Sequence, residues 1–467
     1  MPEFLVFFFK DVVGDAAQLP NPESSPLLRI QLPSVQHAKF LSERGILVKG
    51  VYEVWGHTDS GEYEALVRSV AAYENPLKQQ IIDDENCSWR INVDAFGKKL
   101  SMTEQRARRE HFRDVLPFKG PVVMKDSNET FLILEEIGVD QDLHPELKPK
   151  QIFFLREIAG SDKNRGRGGA RDLVDQQTLK RRAYIGPTSM ESEMALLMSN
   201  MALVQQNDLV IDPFVGTGSV LIPCGTHGAI CFGTDIDIRV LLGTGVGVTG
   251  GGASEELITE KDGQPRVNVM TNFKQYGLPL PELLRADNSG RKPSSKSQEQ
   301  EDAIAQQDKF NEKRKHNYIP PTQPYAAEDV MSDLLNFAAE TLREGGRLVY
   351  LLPTTYEYTD NDLPRHPKLH VIANSEQKLT MKYARRLITM VKRSNGQDDE
   401  SGRTPAGGAI GEASYSKLRE KISHNYVGGD ASFANLREKI LEQNRKRKSE
   451  ELLQAGAEED GEQAASK

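Results

Sequence analysis

The sequence predicts an α+β region followed by a doubly wound α/β domain. Three observations carry that expectation. Residues 1–160 mix β-branched and aromatic runs with helical patterns. Residues 183–393 hold a strand, a glycine turn, a helix and a second strand ending in acids, the order of a parallel-sheet domain. Polar stretches at 161–182, 288–329 and 394–467 punctuate the two.

The strands of the first region are expected at Phe4–Phe9, Ile46–Val54, Trp89–Phe96, Thr130–Ile137 and Ile152–Glu157, with helices over Gly61–Tyr73 and Met102–Leu116. Residues 161–182 carry Lys163, Arg165, Arg167, Arg171, Lys180, Arg181 and Arg182 against three acids, a local balance of +4, and read as a basic linker. The second domain begins with a helix over Ser189–Val204 and a strand over Leu209–Ile211, and a further strand follows at Ile230–Thr234. A helix, a Gly345-Gly346 break and a strand are expected over 334–353, and two more strands over 369–392. Residues 288–329 have no apolar run of four and read as a loose, low-complexity loop, and 394–467 as a mostly disordered tail.

Composition narrows the function. The chain has 467 residues, enough for two or three domains, and a net charge of −9. A net negative chain attracts nucleic acid only through a local basic patch, and the 161–182 cluster is the candidate. Cys87, Cys224 and Cys231 form neither a disulfide framework nor a zinc spacing, and the nine histidines show no ligand pairing, so no metal is expected. No apolar run reaches membrane-spanning length, and the apolar start meets Lys10 and Asp11 at once, as a buried strand does. A reducing, cytoplasmic compartment and no membrane partner are the expectation.

The chemistry is concentrated in Val210–Leu221, VIDPFVGTGSVL. A strand ends in Asp212, then Pro213, Phe214, Gly216 and Gly218 lead into a helix. The glycines let a ligand approach the backbone, and no Lys follows them as a P-loop requires. Asp212, a carboxylate at a sheet's carboxyl edge, suits an ammonium rather than a phosphate. About twenty residues on, Asp235 ends the next strand, where an acid binds ribose hydroxyls. A cofactor with an amino-acid ammonium and an adenosine, but no pyrophosphate, is S-adenosylmethionine.

These residues, with RRAYIGPTSM, GTDID, NFKQYGL, LLNFAAETL-x-x-GGRLVY and RRLITM, resemble the THUMP-linked RNA methyltransferases, and within them the tRNA guanosine-10 N2-methyltransferase family. The resemblance covers about residues 1–393. It implies a THUMP-like RNA-binding domain, a Rossmann-like class I methyltransferase domain, tRNA as substrate and a small zinc-binding activator protein as partner. Carried over by position, Asp212, Phe214, Gly216 and Gly218 would line the methionine end of the cofactor. Thr188, Ser189 and Met190 would close over it, Asp235 would hold the ribose, and Asp287 would sit near the adenine.

The sequence departs from that family where the reaction is completed. The family carries an Asp-Pro-Pro-Tyr motif after its fourth strand, whose acid and carbonyl hold the exocyclic amine and whose ring stacks on the base. Between Asp287 and Asp333 neither strand nor motif is found, and Ile319-Pro320-Pro321-Thr322 has the prolines without the acid or the ring. No catalytic residue is therefore assigned. An excised segment, a mis-joined gene model and a pseudoenzyme stay open. Three functions follow: tRNA guanine-N2 methylation, non-catalytic tRNA binding with a partial cofactor site, and amino-methylation of DNA or a small molecule, which the basic linker and THUMP-like region disfavour.

Weaker signals have plainer readings. Gly245-x-Gly247-x-x-Gly250 matches a dinucleotide fingerprint by letter but follows the second strand, and reads as a flexible helix end. Arg106, Arg108, Arg109 and Arg113 alternate with acids and read as a solvated face. Trp55 and Trp89 read as core.

Overall fold

The structure is a computed structural model that describes residues 2–8, 25–137, 148–160, 170–244, 247–261, 264–288, 327–355, 357–380 and 383–393. The tail expected over 394–467 and nearly all of the loop expected over 288–329 lie outside these residues. The chain divides into two compact units, Met1–Asn288 and Ser289–Lys467.

The first unit opens with a six-stranded sheet. β1 (Glu3–Phe8) lies between β2 (Leu27–Gln31) and, beyond α1 (Val35–Arg44), β3 (Val48–Thr58). Then come α2 (Tyr63–Ala72), α3 (Pro76–Asp83), β4 (Trp89–Phe96), α4 (Met102–Glu110), β5 (Glu129–Glu136) and β6 (Gln151–Gly160). The order is β2-β1-β3-β6-β5-β4, antiparallel apart from the β4–β5 pair. Local chemistry starts the helices. Asn75 accepts from the Leu77 N–H with Pro76 in the first turn of α3, and Ser101 with Glu104 forms a capping box on α4.

Aromatic packing fills this layer, with Trp55, Phe112, Phe131 and Phe154 all buried and the Trp55 and Phe131 ring centroids 4.9 Å apart. Charge inside it is paired. Arg156 bridges Glu53 at 3.2 Å and Glu129 at 2.9 Å, and Trp55 Nε1 donates to Glu53. The α4 arginines divide: Arg106 is exposed, whereas Arg108 turns inward to the buried Glu135 at 2.9 Å and is no part of a solvated face.

Of the stretch expected as a linker, residues 170–182 are described and hold a helix. α5 (Ala170–Gln176) sets Ala170, Leu173 and Val174 against Ile46, Leu47, Leu196 and Leu197, which ties the first sheet to the next layer. That layer contains β7 (Tyr184–Ile185), α6 (Ser192–Met201), β8 (Leu209–Asp212), α7 (Leu221–Thr226), β9 (Ile230–Asp235) and α8 (Ile238–Leu242). It continues through β10 (Val248–Thr249), the hairpin β11 (Thr259–Lys261) and β12 (Gln264–Arg266), α9 (Val269–Gln275) and β13 (Glu282–Arg285).

β13, β9 and β8 form an all-parallel sheet in that order. One face, with Val210, Cys231 and Leu283, packs into a core of Val215, Leu221, Val269 and Phe273. The opposite face exposes Leu209, Ile211, Ile230, Phe232 and Leu284. Parallel sheets are ordinarily covered on both faces, and the described residues of the first unit cover one. Among the described residues no strand pairs with the outer edge of β8, the place where the fourth strand was expected and not found.

The second unit holds α10 (Ala327–Thr341) and an antiparallel sheet of β14 (Arg347–Thr355), β15 (Leu369–Lys378) and β16 (Tyr383–Lys392), ordered β14-β16-β15. Leu335, Ala338 and Ala339 of α10 pack on Tyr350, Leu352, Ile388 and Met390. No helix among the described residues is long and apolar enough to cross a membrane.

Candidate active site

The site forms where β8 and β9 end side by side. Pro213 lacks the N–H that would continue the ladder, so the chain leaves the sheet after Asp212. Gly216 and Gly218 take φ of +51° and +80°, the left-handed region that only glycine enters cheaply. A Cβ on Gly218 would also meet Val269 Cγ1 at 2.8 Å. The turn then feeds α7, whose side chains are buried.

Two carboxylates frame this turn. Asp212 Oδ1 accepts from the Phe214 N–H at 3.0 Å. Asp235 Oδ2 accepts from the Gly216 N–H at 3.0 Å and its Oδ1 from the Asp237 N–H at 2.9 Å. Burial pushes the Asp212 carboxyl up to about 6, partly offset by the Phe214 N–H and reinforced by the charge of Asp235. Among the described residues neither acid is in an ion pair. Phe214 is exposed beside it.

The segment Gly186–Met190 is held to the turn by a chain of hydroxyls. The Gly186 N–H donates to Ser189 Oγ at 2.8 Å, Ser189 and Thr217 hydroxyls meet at 2.7 Å, and the Met190 N–H donates to Ser219 Oγ at 3.2 Å. Thr188 is exposed next to them. Asp287 leaves β13 between two anchored neighbours. The Ala286 N–H donates to the Asp235 carbonyl, and Asn288 Nδ2 donates to the Pro213 carbonyl at 2.7 Å and to Thr234 Oγ1 at 2.8 Å. The structure thus brings Ser189, Met190, Asp212, Phe214, Gly216, Gly218, Asp235 and Asp287 around one turn.

Sequence reasoning missed the residues that join these pieces. Buried Asn272, in the NFKQYGL run, donates through Nδ2 to the carbonyls of Tyr184 at 2.9 Å and Thr217 at 3.2 Å. Its burial was invisible in the sequence, although the polar letters of GTGS directly after the glycines were a signal for Thr217 and Ser219. α8 ends at the left-handed cap Gly243, and the described part of the glycine run that follows enters a strand. Val248–Thr249 pairs antiparallel with Tyr184–Ile185, and a Cβ on Gly247 would lie 2.1 Å from the Tyr184 ring. Gly245 lies outside the described residues.

The proposed RNA-facing cluster separates. Lys180 and Arg181 are exposed. Arg171 pairs with Glu193 at 2.5 Å. Arg182, expected at the RNA surface, is 0% exposed, and its guanidinium donates to Ser219 Oγ at 2.8 Å and to the Gln177 carbonyl at 3.0 Å. That expectation is corrected: α5 and the glycine turn close around this one side chain, so its charge serves the interior. Lys163, Arg165 and Arg167 lie outside the described residues.

Two family models match the chain, a Tmrp11 THUMP N-terminal domain over residues 18–163 and an RMKL-like methyltransferase domain over residues 180–239. The chain is 35% identical over 391 residues to the tRNA (guanine(10)-N(2))-methyltransferase TRMT11 of Homo sapiens, covering 79% of this chain and 80% of that protein. It is 37% identical over 388 residues to the protein of the same name from Mus musculus, with 79% and 80% covered. Among solved structures, TrmN from Thermus thermophilus aligns with a TM-score of 0.37 at 13% identity, covering 84% of this chain and 99% of that one.

Proposed function

The chain belongs to the tRNA (guanine(10)-N(2))-methyltransferase family, and from that premise we propose which of its residues serve methyl transfer to N2 of a tRNA guanine. The observation that carries the reading is the pair Asp212 and Asp235 at the glycine turn. The two carboxylates fit S-adenosylmethionine: Asp212 takes the ammonium that its raised carboxyl lacks, and Asp235 takes the ribose with the lone pairs left by its two backbone donors. Gly216 and Gly218 keep side chains out of the path, and Asp287 flanks the adenosine side. When bound, the cofactor supplies an electrophilic methyl on a sulfonium.

The tRNA is held by the THUMP domain and by exposed Lys180 and Arg181. We include a small zinc-binding activator protein as partner on the family resemblance, and a cytoplasmic setting on the cysteine usage and the strand-like start. The target amine is a weak nucleophile because its lone pair is delocalised into the ring. It has to be placed in line with the methyl, and its N–H needs an acceptor as charge develops. A base inside a stem is reached by turning it out of the stack.

A second reading is favoured by one specific observation. Among the described residues no strand pairs with the outer edge of β8, and no Asp-Pro-Pro-Tyr occurs between Asp287 and Asp333. The motif that would supply the amine acceptor and the stacking ring is missing from the sequence, and among the described residues no strand stands where it would be carried. Loss of a single preorganised acceptor costs about 10²–10³ in rate, so this chain keeps the binding functions and transfers methyl negligibly. Transfer of labelled methyl to unmodified tRNA, with the activator protein present, separates the readings. Robust turnover refutes the inactive one and returns Ile319–Tyr325 to consideration.

A further inference from the structure

The correction at Arg182 raises the question of what a buried cation does behind the glycine turn. Its guanidinium donates to Ser219 Oγ at 2.8 Å, and the Met190 N–H donates to the same oxygen at 3.2 Å. Both are obligate donors, so Ser219 can only accept from them. Its own proton is therefore directed to Thr217 Oγ1, 3.3 Å away and the longest link in the chain. Thr217, having accepted, donates to Ser189 Oγ at 2.7 Å. Ser189 also accepts from the Gly186 N–H at 2.8 Å. Both of its accepting positions are filled from within the protein, and its proton points onward.

We propose that Arg182 is a positioning residue that, through Ser219 and Thr217, fixes the Ser189 hydroxyl as a donor toward an anionic group of the ligand, the carboxylate of the cofactor's amino-acid end. A neutral residue at 182 would leave Ser219 free to reverse its bond, and the order of donors along the chain would no longer be set. The arrangement complements Asp212: one side of the turn offers an acceptor for the ammonium, the other a donor for the carboxylate. This rests on the cofactor reading above, and it gives Arg182 a role in cofactor affinity and none in tRNA affinity.

The test compares two probes on the full 467-residue chain. S-adenosylhomocysteine carries the amino-acid end; 5′-methylthioadenosine has the same nucleoside without it. Ser219→Ala breaks the relay and leaves the guanidinium in place. By calorimetry it should weaken S-adenosylhomocysteine about tenfold and leave methylthioadenosine unchanged, as for one lost hydrogen bond to a charged group. Ser219→Thr, which keeps the hydroxyl, should restore the affinity, and tRNA binding should not move in either variant. Equal weakening of both probes would make the network merely structural and overturn the proposal, as would unchanged binding of both. Loss of tRNA binding alone would overturn the proposal, because the network would then serve tRNA and not the cofactor. Binding of neither probe by the unaltered chain would overturn the cofactor reading, and this proposal with it.

Discussion

Asp212 gives the cofactor reading a pH signature. Its carboxyl is pushed up from 3.8 to about 6, first by burial and then by the charge of Asp235. An ammonium binds the ionised form, so apparent affinity should follow the ionised fraction. That fraction is about nine-tenths at pH 7 and about one-tenth at pH 5, so affinity for S-adenosylhomocysteine should fall about tenfold between them. The ligand's own amine stays protonated throughout that range. His227, which burial lowers to about 4, titrates below the window. In the free protein the sign is opposite. A carboxyl raised in the fold contributes stability below 3.8 that is lost as pH rises through about 6. The ligand should therefore stabilise most where Asp212 alone stabilises least. Asp212→Asn should bind weakly, by about 1.5–3 kcal/mol for a lost charge-assisted bond, and lose the pH slope. The assay is calorimetry at half-unit steps from pH 5 to 7. A flat affinity in the unaltered chain would refute the assignment of the ammonium to Asp212.

Further expectations concern other parts of the chain. Asp235→Ala should weaken cofactor binding by about 1–3 kcal/mol, and unchanged calorimetric affinity would remove it from the site. Replacing Lys180 and Arg181 with Ala should lower tRNA affinity and reduce the slope of log affinity against log salt by about 2; an unchanged slope would make them solvated only. Gly247→Val should destabilise the first unit by about 1–3 kcal/mol through the Tyr184 ring, and a thermal melt that does not shift would disprove that packing. Ile211→Thr, on the exposed face of the parallel sheet, should reduce light scattering at high concentration without lowering the melting temperature. Unaltered scattering would show that this face does not drive association.

The sequence by itself determined what depends on neighbours along the chain. Trp89–Phe96 is the strand that its β-branched and aromatic letters predict. Pro213, Gly216 and Gly218 dictate a break and two left-handed residues whatever surrounds them, because backbone sterics are local. The acids ending two successive strands were legible for the same reason. Only the tertiary structure decided which polar atoms meet. Arg182 reads as one more cation in a basic stretch, yet chain closure places it on Ser219, 37 residues away, in a space with no solvent. Gly247 reads as part of a flexible helix end and instead lies against the Tyr184 ring, where a side chain has no room. A residue's letter sets its charge and its allowed dihedrals. Whether that charge faces water or the interior is set by elements distant in sequence, and burial, not identity, turned an expected RNA contact into an interior donor to Ser219.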